Sequence, residues 1–164
     1  SSTRMIHCGG SYYGGSPQTT RARNIIDYMT IASTGNATDF GDLSTARDVR
    51  ATISNGVRSV MGGGQNAPAD QGAVSATKEN IMEYVTIAST GNTTDFGDLT
   101  VARSQNGGTS SSTRGVYIGG RAPGASNIID YITIASTGDA TDYGDLVTAR
   151  IDGGSAGDGH GGLQ

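Results

Sequence analysis

The sequence predicts an all-β protein made of three copies of one unit, and three observations carry that prediction. The segment TIASTGNATDFGDL at residues 30–43 returns almost letter for letter at 86–99 and 133–146, and internal repetition decides architecture before any local reading. No stretch shows a sustained 3.6-residue apolar stripe, and glycines interrupt each place where a helix would run. Short runs rich in Ile, Val, Tyr and Thr recur in each copy, bounded by glycines.

Each unit reads as four strands. The first is weak: small polar residues follow an Ala-Arg pair, after Arg47 and again after Arg103. The second ends in paired glycines (MIHCGG, RSVMGGG, RGVYIGG). The third, at 25–31 and 128–134, is apolar on both faces, with Ile26 and Tyr28 on one side and Ile25, Met29 and Ile31 on the other. A strand of that kind lies between two covering layers. The fourth, ATDFGDL, carries Phe40, Phe96 or Tyr143. Four short antiparallel strands with both faces covered describe a propeller blade. The units span roughly residues 1–47, 48–103 and 104–150, and 151–164 reads as a terminal strand complementing the N-terminal unit.

The recurring residues resemble the kelch repeat: Gly-Gly, then Asn-x-x-x-Tyr, then an aromatic-x-x-Leu, then Arg. Gly10, Asn24, Tyr28, Phe40, Leu43 and Arg47 fill the first set. Gly64, Asn80, Tyr84, Phe96, Leu99 and Arg103 fill the second, and Gly120, Asn127, Tyr131, Tyr143, Leu146 and Arg150 the third. Phe or Tyr stands where kelch repeats usually have Trp, so the unit is kelch-like. The resemblance implies β-propeller blades. Known propellers have about four to eight, so three imply a ring or array completed by another chain or by a missing segment. A narrower likeness, S-S-T-R-G-V-Y-I-G-G at 111–120 and G-H-G-G-L at 159–163, is to repeat proteins of tailed bacteriophages of aquatic bacteria. It implies a virion or extracellular fibre component.

Composition narrows the function classes. The formal charge is −4 and no basic block occurs, which argues against a nucleic-acid groove. No run approaches the roughly 20 apolar residues of a membrane span. Cys8 is the one cysteine, so no intrachain disulfide forms, and it reads as a small buried hydrophobe. The opening at Ser1 without Met reads as a processed or partial polypeptide.

Only the segment between Gly-Gly and Asn varies in length, at 11–23, 65–79 and 121–126. Variable length beside a fixed frame marks surface loops that carry recognition. These loops present Tyr12, Tyr13, Gln18, Arg21, Arg23, Asn66, Asp70, Lys78 and Arg121 as candidate contacts with a cell-surface glycan or protein.

Other chemistry is poorly represented. The acidic turns at Asp39, Asp95 and Asp142 lack the ligand spacing of a calcium loop and read as bonding their own turn backbone. Asn36 and Asn92 begin N-x-Thr sequons and are candidate glycosylation sites. His7 and His160 have no Cys or His at metal spacing. Asp27, Glu83 and Asp130 repeat at one position, as do Arg47, Arg103 and Arg150. That repetition means equal environments, with the arginines bonding carboxylates or carbonyls between blades.

No catalytic, metal or cofactor set emerges. The sequence therefore reads as a non-enzymatic structural or adhesive repeat protein that self-associates through complementary ends, as a homo-oligomer or filament. An oligomeric lectin-like propeller is the first alternative and a carbohydrate-active enzyme on the same scaffold the second.

Overall fold

The computed structural model describes residues 4–14, 19–66 and 76–157. It is all-β, with several open antiparallel sheets and no helix among the described residues. Unit 1 contains β1 (Arg4–Cys8), β2 (Ser11–Gly14), β3 (Thr19–Ala22), β4 (Ile25–Thr30) and β5 (Thr38–Asp42). Unit 2 contains β6 (Ala51–Ser54), β7 (Arg58–Gly62), β8 (Gln65–Asn66), β9 (Thr77–Lys78), β10 (Ile81–Thr86) and β11 (Thr94–Asp98). Unit 3 contains β12 (Gly107–Ser110), β13 (Arg114–Ile118), β14 (Ser126–Thr133) and β15 (Thr141–Arg150).

Units 2 and 3 each form a four-stranded sheet in chain order, β6-β7-β10-β11 and β12-β13-β14-β15. The unit 1 sheet has three strands among the described residues, β1-β4-β5. Its β1 therefore stands at an edge, where β7 and β13 are covered by β6 and β12. The variable segments of units 1 and 2 hold small hairpins of their own, β2-β3 and β8-β9. The first follows from its residues, since SYYG and TTRA are rich in side chains that suit an extended backbone.

Two local devices recur. The Gly-Gly pairs take positive φ in all three units, 60° and 100° at Gly9 and Gly10, with close equivalents at Gly63, Gly64, Gly119 and Gly120. Their amides bind the neighbouring strand and the closing arginine: Gly9 N donates to Ile25 O and Gly10 N to Arg47 O. A Cβ at Gly9 would stand 2.5 Å from Arg47 O, so glycine is required there on both counts. The second device is an irregularity in strand pairing between Ile26 and Asp27, Met82 and Glu83, and Ile129 and Asp130. A bulge re-aims the side chain that follows it. In every unit that side chain is the repeated acid.

The core lies between sheets. One cluster joins Cys8, Ile26, Phe40 and Leu43 of unit 1 to Met61 and Val85 of unit 2. The other joins Val60, Met82, Phe96 and Leu99 of unit 2 to Tyr117, Ile132 and Ile134 of unit 3. Each sheet thus buries its apolar face against the next unit, the behaviour of a repeat array. First strands stack as well: β12 packs on β6, and Ser110 Oγ donates to Ser54 O while accepting from Ser54 N.

Candidate functional site: the joint between units

The most organised feature between the sheets is the joint itself, which is made twice with equivalent partners. At its centre is a buried ion pair. Arg47 Nη2 of unit 1 lies 2.6 Å from Glu83 Oε2 of unit 2, and Arg103 Nη2 of unit 2 lies 2.9 Å from Asp130 Oδ2 of unit 3. The arginines are closing residues of one unit; the acids are the post-bulge residues of the next. Each acid also accepts from the backbone beside the fourth strand, Glu83 from Ser44 N and Asp130 from Thr100 N. Burial lowers the pKa of both guanidinium groups, and the facing carboxylates oppose that shift. Nε and Nη1 of both arginines find no protein acceptor among the described residues. Such a pair gives register more than stability, because removing two charges from water offsets much of their attraction.

Around this pair the turn of one unit is bonded along the fourth strand of the preceding one. Gly91 N donates to Phe40 O and Thr93 N to Asp42 O; Gly138 N donates to Phe96 O and Ala140 N to Asp98 O. Returning bonds run from Asp42 N to Asn92 Oδ1 and from Asp98 N to Asp139 Oδ1. The approach is tight. A Cβ at Gly41 would stand 2.4 Å from Gly91 O, and one at Gly97 2.5 Å from the Gly138 backbone. The near-identity of the STGNATDFGDL copies therefore has a physical cause: one half of the motif is the surface on which the other half of the next copy docks.

A second arginine completes each joint. Arg4 Nη1 donates to Ile87 O across the first joint, and Arg58 Nη1 to Ile134 O and Ala135 O across the second. Each lies over a tyrosine of its own unit: Arg4 is 4.4 Å from the Tyr28 ring centroid, Arg58 4.5 Å from Tyr84 and Arg114 4.5 Å from Tyr131. Those tyrosines in turn meet Phe40, Phe96 and Tyr143 edge to face. Sequence reasoning assigned no role to Arg4, Arg58 and Arg114, although their recurrence at the head of each second strand was a usable signal.

Tyr117 and Cys8 sit inside the joints. Tyr117 donates to Val60 O and its ring lies against Gly62, where a Cβ would come within 2.6 Å. Burial pushes its phenol pKa up, and pushes the Cys8 thiol up to about 12. Cys8 is thus a core residue with no thiolate at neutral pH.

The repeated positions of unit 3 are placed differently from their counterparts. Phe40 and Phe96 are buried while Tyr143 is 58% exposed; Leu43 and Leu99 are buried while Leu146 is half-buried; Arg150 is exposed. Gly10, Gly64 and Gly120 belong to the Gly-Gly clamps, beside which Leu43 N donates to Asn24 O, Leu99 N to Asn80 O and Ser126 N to Gly120 O, while Asn127 lies in β14.

Among the described residues the variable segments of units 2 and 3 are linked through Ser104, which donates to Gln65 Oε1 and pairs with Arg121. Tyr12 is 44% exposed beneath the Arg23 guanidinium, 4.9 Å from the ring centroid. Asn66 is tied down by Glu79 Oε1 and Thr77 N, with Lys78 beside it on β9. Arg121 bonds backbone to backbone with Ser104. The hairpins of units 1 and 2 adjoin through β3 and β8. Gln18, Asp70 and His160, and the side chains of Tyr13 and Arg21, lie outside the described residues.

Among the described residues no group of His, Cys, Asp and Glu could hold a metal ion. Asp39, Asp95 and Asp142 lie in strands β5, β11 and β15 and not in the turns expected for them, and Asp142 Oδ1 accepts from Gly144 N within β15. Asn36 is exposed, whereas the Asn92 side chain is engaged in the first joint. No helix among the described residues is long and apolar enough to cross a membrane. No protein-family model matches the chain, and no curated protein matches it.

Proposed function

We propose that the chain is a non-enzymatic structural repeat protein, built from kelch-like propeller blades and assembled through its complementary ends into a ring or filament. One observation supports this reading: the same joint occurs twice, and among the described residues the counterparts of its two halves in units 1 and 3 are left without that contact. Unit 1 offers Asp27, Met29 and Ile31; unit 3 offers Tyr143, Leu146 and Arg150. Ile31 is 65% exposed while its counterparts Ile87 and Ile134 are 5% and 0%. Apolar faces of this kind on soluble chains mark interaction sites. A joint that is heterologous closes a ring when its rotation divides the circle and propagates a filament when it does not.

A virion appendage or an extracellular fibre is the setting this proposal assigns. Its adhesive component is the Tyr12–Arg23 pair, an aromatic face with a cation over it on an exposed hairpin. Electron microscopy of the purified chain tests the assembly reading. Rings or fibres of regular repeat are expected; dispersed single particles at high concentration would contradict it.

A further inference from the structure

The turn between the third and fourth strands forms the same kind of pocket in units 1 and 2. In unit 2 its volume is about 210 Å³, and it is lined chiefly by Tyr84, Thr86, Ser89, Thr90, Asn92 and Thr94. The groove on unit 1 contains the same six positions, as Tyr28, Thr30, Ser33, Thr34, Asn36 and Thr38. The unit 2 copy is flanked by a described unit on either side, so it belongs to the interior of the array.

The walls of that copy are held from outside the turn. Gly91 N and Thr93 N donate to Phe40 O and Asp42 O of unit 1, and Asn92 Oδ1 accepts from Asp42 N. With Oδ1 committed, the amide presents Nδ2 as a donor, and Nδ2 has no protein acceptor among the described residues. Tyr84 is fixed as well. The Arg58 guanidinium lies 4.5 Å from its ring centroid, and the Phe96 ring meets it at 6.0 Å and 82°. Thr86, Ser89, Thr90 and Thr94 are exposed, and each hydroxyl both donates and accepts. Groups held in place before a ligand arrives lose little freedom on binding.

We propose that this turn is a saccharide-binding subsite. The unit 2 lining holds no carboxylate, lysine or arginine, which disfavours an ionic ligand. Its one aliphatic side chain, Val85, is buried, which disfavours an apolar one. Hydroxyls and an amide beside a tyrosine ring match a pyranose, whose hydroxyls donate and accept and whose C–H face packs on an aromatic surface. The volume lies below the roughly 300–1,000 Å³ of sites for drug-sized ligands and suits one sugar ring. Equivalent pockets on one chain give avidity for a repetitive glycan surface. This inference goes beyond the assembly reading and requires only the interior joint.

Unit 3 supplies the variant that tests it. Asp139 replaces the asparagine there, and its Oδ1 accepts from Asp98 N as Asn92 Oδ1 accepts from Asp42 N. An aspartate at position 92 therefore keeps the joint and removes only the Nδ2 donor.

NMR titration of the full chain with methyl glycosides of glucose, galactose, mannose and N-acetylglucosamine reads the site directly. At least one glycoside is expected to shift the Asn92 side-chain amide and the backbone amides of Ser89 and Thr90, with matching shifts at Asn36, Ser33 and Thr34. Asn92→Asp is expected to weaken binding at unit 2 roughly tenfold, with unit 1 binding and urea unfolding little changed. Thr90→Val, which removes a hydroxyl at nearly constant shape, is expected to weaken the same pocket alone. Absence of shifts at both turns with every glycoside would overturn the subsite while leaving assembly standing. Binding that neither variant affects would overturn it as well.

Discussion

Arg103 leaves its own unit to meet Asp130 of the next, at 2.9 Å and with both side chains fully buried, and the chain makes the same crossing fifty-odd residues earlier between Arg47 and Glu83. Two independent joints with one geometry turn a repeat in sequence into a repeat in contact.

Breaking the pair from one side should be severe. Arg103→Ala leaves Asp130 buried with Thr100 as its remaining partner, and Asp130→Ala leaves a buried guanidinium. Each is expected to cost about 3–5 kcal/mol in urea unfolding, while replacing both by well-packed apolar residues costs far less. Equal small losses for the single and double variants would show the pair to be solvated.

Gly62 and Tyr117 fit closely in the second joint, a Cβ at Gly62 standing 2.6 Å from the ring. Gly62→Ala forces a methyl into the tyrosine ring and is expected to lose about 1–3 kcal/mol by overpacking. Tyr117→Phe removes the bond to Val60 O and is expected to lose about 1 kcal/mol. Thermal or urea unfolding of both variants reads these values. A neutral Gly62→Ala would mean that the units slide apart at no expense.

The fold should weaken in alkali. Cys8 and Tyr117 both have folded pKa values raised by burial, so the stability they hold is fully present below their ordinary values and is lost above them. For Cys8 the window runs from 9.0 to about 12, with a slope of about 1.4 kcal/mol per pH unit. Unfolding free energy measured across that range should fall, and Cys8→Ala should flatten part of the decline. A thiol that reacts readily with disulfide reagents at pH 8 in the native state would contradict this burial.

Much of the frame was visible in the sequence. Phe40 and Phe96, Leu43 and Leu99, and the Gly-Gly pairs occupy recurring places because each needs the same neighbour in every unit. What crosses between units was harder to see. Gly91-Asn92 looks like a turn or a sequon, and only the fold reveals that its amide and side chain bind Phe40 and Asp42 of the preceding unit. Glu83 sits in a strand of alternating faces, and the irregularity beside Met82 that directs it to Arg47 leaves no mark in the letters. The hairpin β2-β3 lay inside a segment read as loop, where length variation outweighed the extended preference of Tyr12 and Thr20. Tyr143 shares its letter pattern with Phe96; its exposure comes from its place at the end of the array.

Amide hydrogen exchange at Gly35 and Ala37 tests the central claim most directly. Their counterparts Gly91, Thr93, Gly138 and Ala140 donate across the interior joints. If the ends repeat that joint, Gly35 and Ala37 should become protected as protein concentration rises, approaching the slow exchange of Gly91 and Gly138. Fast exchange at Gly35 and Ala37 at every concentration, with Gly91 and Gly138 protected throughout, would show that the joint stops where the three units do.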